Sequence, residues 1–308
     1  MDKLTRRVKD FARQLGADLV GVAGKECFSR LPFLKPDELL PDAQSVVVIA
    51  TKRSPHSLMG DGTWEGQEHY LGFLALEMNI LLRTSGFLDD EGFNTYTVGH
   101  HGYFIPNDAN IREAAKHLSV TRDGELRGVE EFEKVYWGQM KIISHVYLGE
   151  EAGLGEIGLC RQLVTPQYGP RVGLVSLITS APLEPDGKLK EPVCKKEECT
   201  KCIEYCRSGA LTVDSYNVAK CMFQMGALPK IDYIRRGDKE AIARHFHSMR
   251  TKVFPFERGD FRWEDTAGGE PRGGFGCGMC ILACPVGKRH EDKPRLTSGT
   301  ASVSGEIY

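Results

Sequence analysis

The chain has 308 residues, of which 41% are hydrophobic and 27% charged, and its formal net charge is -2. This length predicts two domains, or one large domain with a smaller module, and the charge balance favours neither nucleic acid nor a membrane as a partner. No stretch approaches ~18 consecutive apolar residues, and the charged N-terminal segment does not resemble a secretory signal, so we expect a cytoplasmic protein without a membrane span.

Helices and strands are predicted to mix through the first 190 residues. The chain opens with an amphipathic helix that carries Leu4, Val8, Phe11 and Leu15 on one face. In chain order, the further predictions are a buried strand at 45–50, a helix at 65–85 that stops at Gly86, a Gly/His/aromatic loop at 92–107, a short helix from Asn107 or Asp108, a helix at 130–150 and a strand at 172–179.

The composition changes near residue 187, where Cys, Lys and Glu become frequent. We therefore predict a first domain at 1–187, a cysteine-rich domain at 188–295 and a polar tail at 296–308. The cysteine-rich domain is predicted to contain a helical stretch near 236–250 and a Gly/Pro/aromatic loop at 251–276.

Eight of the ten cysteines lie in this second domain and form two sets of four. The sets are Cys194-x4-Cys199-x2-Cys202-x3-Cys206, and Cys221 followed by Cys277-x2-Cys280-x3-Cys284-Pro285. In two-cluster ferredoxins the last cysteine of each run binds the other cluster. The crossed rule therefore predicts one [4Fe-4S] cluster on Cys194, Cys199, Cys202 and Cys284, and a second on Cys206, Cys221, Cys277 and Cys280.

Two zinc sites are the competing interpretation, because four thiolates also suit tetrahedral zinc. Zinc ribbons do not need the further cysteine three residues later that both sets contain, so the spacing favours iron-sulfur clusters. Cys27 and Cys160 lie outside the pattern and are predicted to be small buried residues without a ligand role.

The segment Gly153–Gly158 fits G-x-G-x-x-G, a pattern that follows a strand in dinucleotide-binding folds. Here it follows a predicted helix and precedes a strand, so it predicts a tight turn. Backbone without side chains can also pass close to a flat ligand.

Three motifs that precede the cysteine pattern resemble the corrinoid-dependent reductive dehalogenases. They are Ala152–Gly158 (AGLGEIG), Thr165–Arg171 (TPQYGPR) and Ala181–Asp186 (APLEPD). The solitary Cys221 between the two cysteine runs is similar to the arrangement in the epoxyqueuosine reductases, which modify tRNA.

The resemblance implies an α+β fold, in which a nitroreductase-like mixed α/β sandwich holds cobalamin beside a C-terminal ferredoxin-like domain with two clusters. The chain has no D-x-H-x-x-G box, the motif that supplies a histidine to cobalt in other corrinoid proteins. The candidate cofactor-binding residues are Gly153, Gly155, Gly158, Tyr168 and Gly169.

The resemblance places the proton donor of both families upstream of the AGLG segment, and residues 135–147 of this chain contain no Asp. Tyr136 and Tyr147 are the candidate acids, and Arg171 is the candidate for stabilising a leaving anion. The chain also departs from the G-W-x-G-K motif of the epoxyqueuosine reductases at Gly155–Leu159, and it has neither their helical repeats nor a dehalogenase export signal.

The leading hypothesis is a reductive oxidoreductase that passes electrons from a donor such as ferredoxin or flavodoxin to a corrinoid, with a small molecule or another corrinoid as substrate. One alternative is a cobalamin-free electron carrier or corrinoid-activating protein. The other is an epoxyqueuosine reductase-type tRNA-modifying enzyme, although the absence of a Lys/Arg run predicts that nucleic acid is an unlikely partner.

Overall fold

The computed structural model describes residues 2–32, 34–54, 64–99, 116–120, 126–138, 143–217, 220–221 and 278–287. The helices of this part are α1 Lys3–Gln14, α2 Pro36–Leu39, α3 Trp64–Asp90, α4 Val129–Gly138, α5 His145–Glu151, α6 Lys201–Glu204 and α7 Met279–Ala283, with a 3-10 helix at Lys25–Arg30. The strands are β1 Leu19–Gly24, β2 Ser45–Lys52, β3 Thr95–Val98, β4 Ser119–Val120, β5 Leu126–Arg127, β6 Glu156–Ile157, β7 Leu163–Val164 and β8 Val172–Thr179.

The centre of the first 187 residues is an antiparallel sheet with the strand order β1-β2-β8-β3. Leu19 pairs with Ala50 across β1 and β2, and Ser45 pairs with Thr179 across β2 and β8. Two short antiparallel pairs, β4 with β5 and β6 with β7, lie outside this sheet.

Both faces of the sheet are covered by helices. On one face Val47, Ile49 and Leu177 are fully buried in a cluster that includes residues of α1 and α3. On the other face Val46 and Val48 pack in a cluster with residues of the 3-10 helix and α5. Side chains of a strand point alternately to the two faces of the sheet. Because both faces are buried, β2 and β8 need continuous apolar runs.

The opening helix and both predicted strands are confirmed, and β8 has the predicted bounds. The predicted stop of the third element at Gly86 is wrong, because α3 continues to Asp90. Leu88 is fully buried in the core, so the last turn of the helix gains free energy from packing. The chain leaves the helix at Gly92, which has a φ of 87° that a residue without Cβ adopts readily.

The predicted long helix at 130–150 is also wrong in its extent, since two helices, α4 and α5, lie within that range. Strand β1 was not predicted, and β3 lies in the segment that was predicted to be a loop. Four predictions lie outside the described residues: the short helix from Asn107 or Asp108, the helical stretch at 236–250, the loop at 251–276 and the tail at 296–308. The coarse prediction of a mixed α/β fold is confirmed, and the nitroreductase-like and ferredoxin-like details remain predictions.

The segment at the predicted domain boundary is attached to the first two elements of the fold. The side chain of Asp186 accepts a hydrogen bond from the backbone N–H of Val22 at 2.7 Å and forms an ion pair with the buried Lys9. These contacts hold the segment that leads to the cysteines against α1 and β1.

Within the described residues, one helical stretch, Leu71–Asp90, is long and apolar enough to meet the length and composition criteria for a membrane span. Its buried residues, which include Glu77, Ile80 and Leu81, face the rest of the protein, and a core helix meets the same criteria. This stretch is therefore weak evidence for a span, and the cytoplasmic location remains a prediction.

Candidate metal centre

A short helix carries one cysteine of each predicted set. Cys202 lies on α6 and Cys280 on α7, and these two helices pack against each other. Cys202 and Cys284 are buried, whereas the other described cysteines of the pattern, Cys194, Cys199, Cys206, Cys221 and Cys280, are partly buried. Cys277 lies outside the described residues.

The first cysteine group consists of Cys194, Cys199, Cys202 and Cys284. Burial, together with the charges of the three other members of the group, raises the pKa of the Cys202 thiol to about 11. Burial also raises the pKa of Cys284, and Cys194 and Cys199 contribute in the same direction. The charges of Cys194 and Cys199 thus act on both Cys202 and Cys284, and the assignment of these four cysteines to one cluster remains a prediction.

The second cysteine group consists, in the described part of the chain, of Cys206, Cys221 and Cys280. All three lie near the phenol of Tyr216, whose pKa is raised by burial, by a hydrogen bond with Cys221 and by the charges of the three cysteines. The crossed rule assigns these three cysteines and Cys277 to the second cluster, and that assignment remains a prediction.

The Cys206 thiol lies among hydrogen-bond donors. Burial opposes its ionisation, but the Ser208 hydroxyl and the backbone N–H groups of Leu211, Ala210 and Ser208 hold the pKa of Cys206 below its usual value. The sulfur of Cys206 is 3.5 Å from Oγ of Ser208. Donors of this kind stabilise a thiolate, which is the form that binds a metal.

An apolar shell surrounds the buried cysteines. Leu159 and Val164 of the first domain pack with Cys202 and Cys284, and Cys160 lies in the same cluster. Within the described ranges no group of three or more His, Cys, Asp or Glu side chains is arranged to hold a single metal ion. Cys194 and Cys280 pack against this shell as well, so it contacts cysteines of both groups.

Strand β6 carries a carboxylate that holds the loop of the first cysteine group. Oε2 of Glu156 accepts hydrogen bonds from the backbone N–H of Val193 at 2.8 Å and of Cys194 at 3.0 Å, and Nζ of Lys196 lies 2.7 Å from Oε1. Burial opposes its ionisation, yet these three donors hold the pKa of Glu156 below its usual value. Sequence analysis missed this role, although Glu156 lies inside the G-x-G-x-x-G pattern.

The candidate cofactor-binding glycines approach other parts of the protein closely. A Cβ on Gly155 would lie 2.4 Å from the carbonyl oxygen of Val164, and a Cβ on Gly158 would lie 3.3 Å from the sulfur of Cys194. A Cβ on Gly153 would meet the carbonyl oxygen of Gly187 at 2.4 Å. The G-x-G-x-x-G pattern therefore forms a turn and the β6–β7 hairpin that packs against the cysteine loop.

The two remaining candidate cofactor-binding residues lie in the turn before β8. A Cβ on Gly169 would meet the carbonyl oxygen of Val286 at 2.3 Å, so this turn packs on the segment after Cys284. The ring of Tyr168 lies 5.6 Å from Nζ of Lys52. The described thiols suit iron-sulfur clusters as ligands. The glycines that were predicted to lie against a corrinoid instead lie against protein atoms, on the side where a Cβ would be.

The three candidate catalytic residues lie on different elements. Tyr136 belongs to α4, but its side chain lies outside what the structure describes. Tyr147 is 42% exposed on α5, and the guanidinium of Arg171 is buried against the segment after Cys284. The structure does not test their catalytic roles.

A buried histidine lies next to Tyr147 on α5. Nε2 of His145 is 2.7 Å from the carbonyl oxygen of Gly99, and Nδ1 is 2.8 Å from Oγ of Ser176. A carbonyl oxygen only accepts, so Nε2 carries the proton, and in the neutral ring Nδ1 accepts from the Ser176 hydroxyl. His145 thereby ties α5 to β8 and to the residue after β3.

The comparisons with known proteins find both enzyme families that the motifs resemble. The tetrachloroethene reductive dehalogenase of Sulfurospirillum multivorans is 27% identical over 143 residues, which cover 45% of this chain and 22% of the relative. An epoxyqueuosine reductase of Listeria monocytogenes is 29% identical over 132 residues, which cover 42% of this chain and 34% of the relative. The resemblance to both families is confirmed. No family model matches the chain.

Solved structures extend the likeness to nearly the whole chain. The epoxyqueuosine reductase from Bacillus subtilis matches with a TM-score of 0.52 and 17% identity over 93% of this chain and 66% of that chain. An epoxyqueuosine reductase with an epoxyqueuosine-modified tRNA stem loop matches with a TM-score of 0.51 and 17% identity over 92% of this chain and 65% of that chain. At this identity the likeness shows the fold alone.

The homologues are named reductases, which supports an oxidoreductase. The matches span only about a fifth to a third of the length of the first curated relatives. The expectation that nucleic acid is an unlikely partner is not supported, because an epoxyqueuosine reductase with a tRNA stem loop is among the structural neighbours.

Proposed function

We propose that the chain is an iron-sulfur oxidoreductase that passes low-potential electrons through two [4Fe-4S] clusters to a bound corrinoid, where a reductive reaction of the dehalogenase type takes place. The observation that carries this proposal is the burial of Cys202 and Cys284 in one apolar cluster, with Cys194 and Cys280 of the two cysteine runs packed against it. Four thiols with a buried, apolar surrounding suit a cluster, and the second group has three described thiols beside Tyr216.

In this proposal the first cysteine group holds one cluster, and the second cysteine group together with Cys277 holds the other. Residues 1–187 form the corrinoid-binding domain and residues 188–295 the ferredoxin-like domain. A ferredoxin or flavodoxin reduces the clusters. Cys202 and Cys284 of the first cysteine group are buried with Leu159 and Val164, and the cluster on this group is proposed to be the one that delivers electrons to the corrinoid.

A bound cobalamin supplies a low-potential cobalt centre, and the chain supplies electron delivery, orientation and a proton. Tyr147 is accessible at the end of α5 and is proposed as a proton source, together with Tyr136 on α4. A phenol O–H is a hydrogen-bond donor and can act as a general acid when it lies within reach of the reacting group.

Metal analysis of anaerobically prepared protein tests the clusters. We expect about eight iron atoms per chain, and about four in a Cys202→Ser variant, because each [4Fe-4S] cluster needs four thiolate ligands. Cys27→Ser is the matched control, since Cys27 is equally buried but lies on the 3-10 helix away from both cysteine groups. Zinc in place of iron, or equal iron in the two variants, would contradict the proposal.

A cobalamin-free electron carrier is the first alternative, and the packing of Gly153, Gly155 and Gly169 against protein atoms favours it. The two functions separate when the iron-loaded protein is incubated with cobalamin and then desalted. About one cobalt atom per chain supports the corrinoid enzyme, whereas full iron without cobalt supports the carrier.

An epoxyqueuosine reductase-type activity is the second alternative, and it is favoured by the fold likeness over more than nine tenths of the chain. Several lysines of the cysteine-rich domain pair with glutamates, for example Lys196 with Glu156 and Lys201 with Glu204, which weakens the local attraction for phosphate. Reduction of an epoxyqueuosine-modified stem loop, with no reaction of a halogenated compound, would support this alternative.

A further inference from the structure

Arg171 connects the first domain to the ligand segment of the first cysteine group. Its side chain comes from the turn before β8, and the residue is only 4% exposed. Nη1 donates to the carbonyl oxygen of Cys284 at 3.1 Å, and Nη2 donates to that of Val286 at 2.6 Å. The backbone carbonyl of Arg171 also accepts from the N–H of Arg53 at 2.9 Å, so both ends of the residue are held.

The surrounding backbone leaves no room for the Cys284 segment to shift. A Cβ on Gly287 would lie 2.5 Å from the backbone N of Gly169 and from the carbonyl carbon of Tyr168. The turn before β8 therefore packs backbone to backbone on the residues that follow Cys284. The guanidinium of Arg171 is fixed beside this ligand by packing and by two hydrogen bonds.

The two cysteine groups differ in the polar group next to them. The first has the guanidinium, which is a permanent cation, whereas the second has the hydroxyl of Tyr216 in a hydrogen bond with Cys221. The net charge and the hydrogen bonds around a cluster set its reduction potential. A nearby cation favours the reduced form because reduction adds a negative charge.

We propose that Arg171 is a positioning and potential-setting residue, which docks the Cys284 ligand segment and makes the cluster of the first cysteine group easier to reduce than that of the second. This inference rests on the proposed function. One electron from a ferredoxin or flavodoxin enters through the second cluster and comes to rest on the first, which packs against the first domain. The donor is oxidised by one electron, a cluster is reduced by one, and no proton moves.

Redox titration of the anaerobically reconstituted full chain, followed by electron paramagnetic resonance, tests the role of the charge. The variants are Arg171→Gln, which removes the cation, and Arg171→Lys, which keeps it. Arg207→Gln is the matched control, because Arg207 is exposed beside the second cysteine group and water screens its charge.

In Arg171→Gln we expect the reduction equilibrium constant of one cluster to fall about tenfold, a shift of about 59 mV, with the other cluster unchanged. Arg171→Lys should shift the same cluster by less than half as much, and Arg207→Gln should shift neither. Loss of about four iron atoms in Arg171→Gln with retention in Arg171→Lys also supports a cation at this position.

Equal behaviour of the Gln and Lys variants would overturn the electrostatic role, whether both shift, both lose iron or both match the parent protein. A parent protein that contains no iron would instead contradict the proposed function. The two failures are therefore distinguishable by the iron content of the unmodified chain.

Discussion

Removal of the Glu156 carboxylate should loosen the loop of the first cysteine group. In Glu156→Ala the backbone N–H groups of Val193 and Cys194 lose their acceptor, and Lys196 loses its partner. A hydrogen bond to a charged group contributes about 1.5–3 kcal/mol. Because Glu156 is partly exposed, water replaces some of the lost bonding, and we expect a net cost of about 2 kcal/mol.

This cost corresponds to about 30-fold weaker retention of the cluster by the folded chain. The assay is the rate at which an iron chelator removes iron under anaerobic conditions. Half of the iron should leave Glu156→Ala about 30-fold faster than it leaves the parent protein, because only the first cysteine group loses its support. Glu198→Ala is the matched control, since Glu198 lies in the same loop but its side chain is 74% exposed.

Iron release from Glu156→Ala within twofold of the parent protein would refute this reasoning. It would mean that the thiolates alone hold the loop. An equal loss of iron in Glu198→Ala would also contradict it, because that carboxylate accepts no hydrogen bond from the backbone of Cys194.

Three further predictions concern the fold and the second cysteine group. Leu177→Ala should lower the free energy of unfolding by about 2–5 kcal/mol in denaturant titration, because Leu177 is fully buried, whereas the exposed Leu82→Ala should change it little. Gly92→Ala should cost about 1–2 kcal/mol in the same measurement, since its φ of 87° disfavours a Cβ that would otherwise meet open space. Tyr216→Phe removes the hydrogen bond to Cys221, so it should lower the midpoint potential of the second cluster, the one that Arg171→Gln leaves unchanged. A shift of the first cluster instead would contradict the assignment of Cys221 to the second.

The parts of the fold that the sequence predicted correctly are those with a strong local pattern. The runs at β2 and β8 are continuously apolar because both faces of these strands are buried, and that pattern is visible without any knowledge of the partner. Strand β1 is short and contains two glycines, and its extended conformation depends on pairing with β2. Such non-local pairing leaves no local signal in the sequence.

The same distinction holds at the candidate site. The two cysteine runs are recognised from spacing within a few residues, which is a local signal. The contact of Glu156 with Cys194 spans 38 positions, and that of Arg171 with Cys284 spans 113. Sequence analysis therefore identified Arg171 as a candidate residue but could not predict the carbonyl groups to which it donates.

The most direct test of the central claim is the measurement of iron, acid-labile sulfide and zinc in the full chain purified without oxygen. We expect a brown protein with about eight iron and about eight sulfide per chain, because seven described thiols and Cys277 provide eight ligands for two cubane clusters. A colourless protein that contains zinc and no sulfide would contradict it.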